Sequence, residues 1–579
     1  MGRVGYVSGW TEADGMAKQA ESAGAARERA IGRLDWQTAR RDDQRVAQAV
    51  HEGEELDAVH ELSEAGLLDE FFAYLEALGV PALVRQVVFA EVERVMIPLA
   101  QFVTLYLLKT LYGIGSMEAL PALLFSNVAL MTLIGFNAAQ IAAGFTRRGD
   151  DKRRSKPKQG PLSPQCLAQN ICKLPGTQLA GLFNGVVRQI VASGLLEGDL
   201  MVALDGSKVL TTEQYAGRGC LTIERQRRVR LDGVWQVVKL AERVFGWKVL
   251  VLIEVRTRLP LALAIDKIEA YEGAYLVPLV EQAQANLGGR ARITKVVADR
   301  GYLDGEDLWG LDQRGITFVV VAKDGMHVRA DAQALAVRER PVERRQVLRH
   351  GHGRAAQTET LVTRLVGISG LTSYDAYGTA EHAARANRSD FAGHPLNAVV
   401  VLTWNNREYP DGGTVYLTNG PVTDPFEVFV DYDWRSVIEN GIFKEGKHPW
   451  HLEHAPQKTE AAVLVQCYFT LITMALCTAF RLQQAREAAA VQREDAAATA
   501  GPAAAATAIS SVLLGGEGTA RWRRRLKEEN RDKVIVFVGA WYGIFHLAEL
   551  AILSGLRLKT LPPELGSREA VLARHGLAE

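Results

Sequence analysis

The sequence predicts an α/β protein, and three observations predict it. Short apolar runs at residues 201–204 and 293–298 are each closed by an acid and a turn, Asp205-Gly206 and Asp299-Arg300-Gly301, as in buried strands that end at a sheet edge. Further strand-like runs at 247–255, 260–265 and 316–322 alternate with helical patterns at 275–287 and 306–313. Helical patterning also fills residues 61–145 and 461–480, on either side of that alternation.

Taken in order, residues 1–60 are polar, rich in Ala, Arg and Glu, and lack a sustained apolar face, so they read as a loose or disordered arm. Residues 61–146 form a helical N-terminal region, with apolar positions at Leu62, Leu67, Phe71, Leu75, Leu78, Val84 and Val87 and longer apolar helices after them. Residues 147–161 carry Pro, Gly and seven cations within twelve residues, a basic linker. The next segment is helical to about residue 200 and hands over to the strand that carries Asp205. Arg225, Arg227, Arg228 and Arg230 follow it, then the strands at 247–255 and 260–265. Three strands, a helix, two more strands with helices and a late acidic helix give a ribonuclease-H-like order. Asp299 and Glu439 are 140 residues apart, too many for one crossover, so the core divides into 162–323 and 422–484. Between them, 324–421 is a β-rich insertion bearing the basic cluster Arg344, Arg345, Arg349, His350, His352 and Arg354. Residues 485–507 are an Ala-rich linker, and 508–579 read as a helical C-terminal region. There, Arg521-Trp522-Arg523-Arg524-Arg525 precedes an apolar helix expected through Val534 to Leu553.

Composition excludes several classes. With 48% hydrophobic and 23% charged residues, the chain is folded rather than disordered. Five cysteines without a CxxC pair argue against a disulfide frame and a zinc site. His448, His451 and His454 recur every three residues, but Pro449 breaks their register and no cysteine joins them. Acids and bases cancel at 67 each, so attraction to a polyanion must come from local patches. The residues after Met1 lack the apolar core of a signal peptide, and the expected compartment is the reducing cytoplasm. Residues 96–145 are interrupted by Lys109, Glu118, Pro121 and Asn127; residues 461–480 are long enough to span a bilayer, yet read as a helix packed beneath the sheet. No membrane association is expected.

The chemistry gathers at residues 431–447. Read as one helix, this stretch places Tyr432, Arg435 and Glu439 at i, i+3 and i+7 on a single face. Alone it is an ordinary Arg/Glu pair, worth about 0.3–0.5 kcal/mol on a solvated helix. Asp205 and Asp299 alone are equally well turn-capping acids. Together, two acids on strand ends and one on a late helix are what two magnesium ions need to flank a scissile phosphate, with a guanidinium for its oxygens.

These motifs resemble those of the DDE transposases of bacterial insertion sequences, in the class marked by a Tyr-Arg-Glu-Lys signature. Tyr432, Arg435 and Glu439 fit that signature. The lysine does not: its position falls on Gly446, between Lys444 and Lys447, and a one-residue insertion near Gly441 would reconcile it. The resemblance covers residues 90–480. It implies a ribonuclease-H-like catalytic domain with a β-rich insertion, and metal-dependent cleavage at transposon ends followed by strand transfer into target DNA. It implies that Asp205, Asp299 and Glu439 hold two Mg2+ or Mn2+ ions. It further implies that Tyr432, Arg435, Lys444 or Lys447, Arg300 and Tyr302 hold DNA, that the partners are the terminal inverted repeats and target duplex, and that two protomers pair the ends within the nucleoid. Residues 61–146 resemble the region where such enzymes recognise their ends. Two alternatives stay open: a ribonuclease-H-like nuclease without strand transfer, and a transposase-derived DNA-binding protein without catalysis.

Overall fold

The computed structural model describes residues 40–61, 68–90, 97–145, 162–231, 234–350, 357–374, 376–378, 394–499, 532–556, 558, 561–562 and 565–577. Two sheets organise them. The smaller joins the two ends of the chain: β1 (Arg40–Arg41) and β2 (Ala58–Glu61) flank a C-terminal hairpin in which Val534 faces Phe545 and Val538 faces Trp541. The apolar helix expected through Val534 to Leu553 is therefore a hairpin followed by a short helix, Leu547–Leu553. The run Lys533-Val-Ile-Val-Phe-Val538 is β-branched and aromatic, which suits a pleated surface better than a helix. Gly539, at φ 59°, opens the two-residue turn. The expected loose arm likewise contributes β1, β2 and the helix Asp43–Glu52 between them, whose Val46 and Val50 pack on Phe545 and Leu572.

The larger sheet holds the predicted alternation. Its strands are β3 (Gly198–Thr211), β4 (Gly219–Leu231), β5 (Val234–Glu254), β6 (Pro260–Lys267), β7 (Ala291–Ala298), β8 (Thr317–Val321), β9 (Val342–His350), β10 (Gln357–Leu371), β11 (Leu396–Trp404), β12 (Arg407–Glu408) and β13 (Val415–Thr418). β3 runs antiparallel to β5 and parallel to β7; β7 is parallel to β8, and β6 lies antiparallel on β5. The strand carrying Asp205 does not stop there but continues through Thr211. The β-rich segment extends the same sheet, because β13 pairs antiparallel with β8 and carries β11, β10 and β9 outward. β4 was not foreseen, since its arginines mask the alternation that marks a half-buried strand.

Five helices position this sheet: α1 (Leu99–Leu111), α2 (Gly176–Ala192), α3 (Leu276–Leu287), α4 (Pro425–Asp433) and α5 (Glu460–Thr499). The apolar part of α5 is long enough to cross a membrane, but 78% of that window is buried inside the protein, against α2 and α1 among others. α5 continues into the expected Ala-rich linker, as the high helix propensity of alanine favours. A buried polar chain ties α1 to α5: the Tyr106 hydroxyl donates to Gln466 Oε1 (2.6 Å), as does Lys109 Nζ (3.3 Å), and Gln466 Nε2 donates to the His451 carbonyl (3.0 Å). In the basic cluster, Arg344 pairs with Asp424 at 2.6 Å and lies over the Phe426 ring, fastening β9 to the start of α4. His352, Arg354, the basic linker at 147–161 and the Arg521–Arg525 run lie outside the described residues.

Candidate active site

Asp205 and Asp299 are side by side because parallel strands carry them. Leu204 of β3 is in register with Ala298, the last residue of β7, so the acids that follow are neighbours on strands about 4.8 Å apart. With Leu204 and Ala298 buried, alternation turns both acids to the opposite face. Asp205 accepts from the Gly206 N–H at 2.8 Å, and Asp299 from the Arg300 N–H at 2.7 Å.

The signature helix crosses that face. Lys295 of β7 pairs with Asp431 near the end of α4. Beyond it, the Arg435 N–H bonds the Tyr432 carbonyl, and Ile438 bonds Arg435, each three residues back, so the helix tightens. It then widens into a π turn over Glu439–Phe443 before Lys444–Lys447. The expected single regular helix is thus two helical modes in succession. The tightened part brings Tyr432 and Arg435 onto the acids: Arg435 Nη1 donates to Asp205 Oδ2 at 2.9 Å, and the Tyr432 hydroxyl lies 3.5 Å from Asp299 Oδ1. The Arg435 guanidinium carbon lies 5.7 Å from the Tyr432 ring centre, and its Nε is buried without a hydrogen-bond partner. That nitrogen is a donor available to an incoming oxyanion.

Glu439 sits on the wide turn, exposed, with Arg435 among the charges near it. It does not join the two aspartates; among the described residues no group of three His, Cys, Asp or Glu side chains is close enough to hold a metal. As hard oxygen ligands on adjacent strands, Asp205 and Asp299 fit a divalent cation. In this conformation Arg435 pairs with Asp205 at 2.9 Å, and Glu439 is not gathered with the two aspartates. Lys447 returns to the acid strand, donating to the Lys208 carbonyl at 2.7 Å and pairing with Glu453 at 3.1 Å, while Lys444 is exposed.

Two of the expected DNA contacts behave differently. Arg300 is exposed beside Asp299. Tyr302 is fully buried, because a single 3₁₀ turn, Arg300–Tyr302, folds it under the acids; it cannot touch DNA there. Its hydroxyl has no hydrogen-bond partner. A third carboxylate, absent from the sequence-based reading, lies beside it: Glu272, which pairs with the largely buried Lys248 at 2.9 Å. A Cβ on Gly206 would meet the Tyr302 hydroxyl at 3.4 Å and the Glu272 carboxyl at 3.5 Å, and one on Gly301 would meet Glu272 Oε2 at 2.8 Å. The two glycines thus leave the hollow that Glu272 fills. In the sequence Glu272 is one more acid in a turn, with no spacing to mark it.

Electrostatics follow from this crowding. Burial pushes the Asp205 carboxyl up to about 6, with Asp299 and Glu272 adding to it and the Gly206 N–H and Arg435 opposing it. Burial also raises Tyr432, to about 12, keeping it a proton donor at neutral pH.

Residues 198–476 match the family model described as the transposase DDE domain. That defines the class: the chain carries a DDE-type transposase domain that begins at the first residue of β3. The protein is a DNA transposase. No curated protein matches the chain. Solved structures that match include the cryo-EM structure of a piggyBac transposase synaptic complex with hairpin DNA, at 9% identity and a TM-score of 0.33, covering 85% of this chain and 80% of that one.

Proposed function

We propose that this transposase cuts a phosphodiester at each transposon end and joins the freed 3′ hydroxyl to target DNA, with Asp205, Asp299 and Glu439 as the metal-holding acids on a ribonuclease-H-like core. The observation that carries this reading is the meeting of Asp205 and Asp299 on adjacent strands beneath Tyr432 and Arg435. The strand order β6-β5-β3-β7-β8, antiparallel on one side of β3 and parallel on the other, supports the ribonuclease-H-like assignment. Two Mg2+ or Mn2+ ions at such acids would polarise the scissile phosphate and activate the attacking oxygen. Arg435 is the residue that must exchange: it neutralises Asp205 at rest, and its free Nε lets it turn to a phosphate when the acids take up cation. Tyr432, protonated, donates beside Asp299. Lys447 is the lysine of the Tyr-Arg-Glu-Lys signature, because a π turn holds one residue more than an α turn and so absorbs the displacement between Gly446 and Lys447. The enzyme is assigned on this reading to a bacterial insertion sequence, acting in the cytoplasm on terminal inverted repeats as a DNA-bound homodimer.

The test is nicking and joining of duplex ends with Mg2+ or Mn2+. Asp299→Asn and Glu439→Gln are expected to abolish nicking while end binding persists, and Arg435→Ala to weaken both. Normal cutting by Glu439→Gln would remove the third acid from the assignment. One observation favours a second reading, a DNA-binding protein without catalysis: Glu439 is exposed and apart from the aspartates. Metal-dependent cutting by the unmodified protein excludes it.

A further inference from the structure

β4 and β5 leave the sheet together. β3 pairs with β5 only as far as Phe245, and β6 only from Trp247, so residues 234–244 of β5 are paired with β4 alone. Eleven residues at about 3.3 Å each make a two-stranded ribbon about 36 Å long. Gly246, at φ 150°, lies at its root, where the Val209 carbonyl occupies the place of a Cβ. No side chain could enter there, so the ribbon departs at a glycine hinge.

Its two faces differ. Directly opposed residues share a face, so Arg230 with Trp235 and Arg228 with Val237 lie on the same side as Lys239 and Arg243. That face carries four cations and one acid, Glu224, which stands 3.6 Å from Lys239. Residues 225–239 hold five cations and one acid in a chain whose total charge is zero. Trp235 is 67% exposed and Val237 59%, large apolar groups on a two-stranded element. An isolated two-stranded ribbon is marginal in water, and apolar residues exposed along it want a partner. The charge selects which: four cations on one face repel a second copy of themselves and attract a polyanion.

We infer that this ribbon is a DNA-binding arm whose Arg228, Arg230, Lys239 and Trp235 face seats in the major groove of the duplex flanking the cut. A two-stranded ribbon fits that groove, about 12 Å wide, with cations reaching phosphates and base edges and an apolar side chain meeting thymine methyls. The arm leaves from the end of β3 beyond Asp205. Its root is five residues, or about 17 Å, from that acid. Its contacts therefore fall about 5 to 15 base pairs from the scissile phosphate, at about 3.4 Å per pair. The proposal rests on the transposase reading above.

The experiment measures equilibrium binding of the full-length protein to duplex ends against salt. Arg228→Gln/Arg230→Gln is expected to weaken binding to a duplex end of about 30 base pairs by about tenfold near 0.15 M salt and to flatten the log–log salt slope by about 2. Trp235→Ser is expected to weaken it several-fold, about as loss of one apolar base contact does, without changing the slope. Neither variant should differ from the unmodified protein on a duplex ending about 5 base pairs from the cut, before the arm's reach begins. Arg338→Gln/Arg340→Gln, two exposed arginines on the 337–341 loop, is the charge-matched control and should leave the slope unchanged. Unaltered slope and affinity in the ribbon variants, or a changed oligomeric state with unaltered affinity, overturns the arm while leaving the active-site reading intact. If the unmodified protein neither binds nor cuts the long duplex, both fall together.

Discussion

Replacing Asp205 by asparagine should make the metal-free protein more stable, while on the proposed mechanism it should abolish the reaction. The wild-type carboxyl is only 14% exposed, and its pKa rises from 3.8 to about 6, chiefly through burial. A shift of that size amounts to about 3 kcal/mol of preference for the neutral form. The asparagine amide would be neutral and nearly the same shape, still offering an oxygen to Arg435. Allowing for the lost charge on that hydrogen bond, the variant should gain about 1–3 kcal/mol at pH 7.5. The pH dependence has a definite sign. The folded-state pKa lies above the unfolded one, so Asp205 favours folding fully below about pH 4, and that contribution is lost as pH rises through about 6. Denaturant melts of the two proteins should therefore coincide near pH 4 and separate by pH 7.5. If Asp205 holds a divalent cation as proposed, the cation should reverse the order: at a hundredfold excess over its Kd it should stabilise the wild type by about 2.7 kcal/mol and the variant hardly at all. An Asp205→Asn protein that is less stable than wild type at pH 7.5 without metal would refute the argument, because the Arg435 pair would then outweigh burial.

Three further outcomes follow from named contacts. Gly301→Ala pushes a methyl to 2.8 Å from Glu272 Oε2, so the carboxylate must shift from its pairing with Lys248 and cleavage should fall by up to about tenfold; Gly206→Ala, with contacts of 3.4–3.5 Å, should change it by less than about threefold, both read as single-turnover nicking rates. Lys447→Ala should weaken end binding and nicking about tenfold or more, because it removes the cation held on the acid strand, whereas the exposed Lys444→Ala should change either by less than about threefold. Lys109 is 1% exposed and burial lowers its pKa to about 8, so Lys109→Met should stabilise the protein by about 1–3 kcal/mol at pH 7. Because the folded-state pKa is the lower one, that gain shrinks as pH rises from about 8 to 10.5, which melts across this range would register.

What could be read from the sequence were the contacts written in local spacing. The closed apolar runs before Asp205 and Asp299, the helices between strands and the Tyr432–Arg435 step are all short-range patterns, and the structure brings those four side chains together. Glu272 was not legible, because its place depends on three distant segments meeting: β3 at Gly206, the Arg300–Tyr302 turn and β5 at Lys248. β4 was hidden because both faces of the ribbon are solvated and carry arginines, erasing the period-two signal. The small sheet was hidden for another reason: its two halves lie at opposite ends of the chain, and neither short strand pair holds a core without the other.

The irregular signature helix shows why residue spacing alone did not anticipate the exposure of Glu439 and left the lysine ambiguous. A regular helix would advance about 100° per residue and keep Tyr432, Arg435 and Glu439 on one stripe. The tightened turn after Tyr432 advances farther per residue, and the π turn that starts at Glu439 advances less. The first change goes with Tyr432 and Arg435 meeting the aspartates and Glu439 standing exposed; the second brings Lys447, not Gly446, back onto β3. Two successive departures from α-helical pitch therefore account for the exposed glutamate and for the shifted lysine.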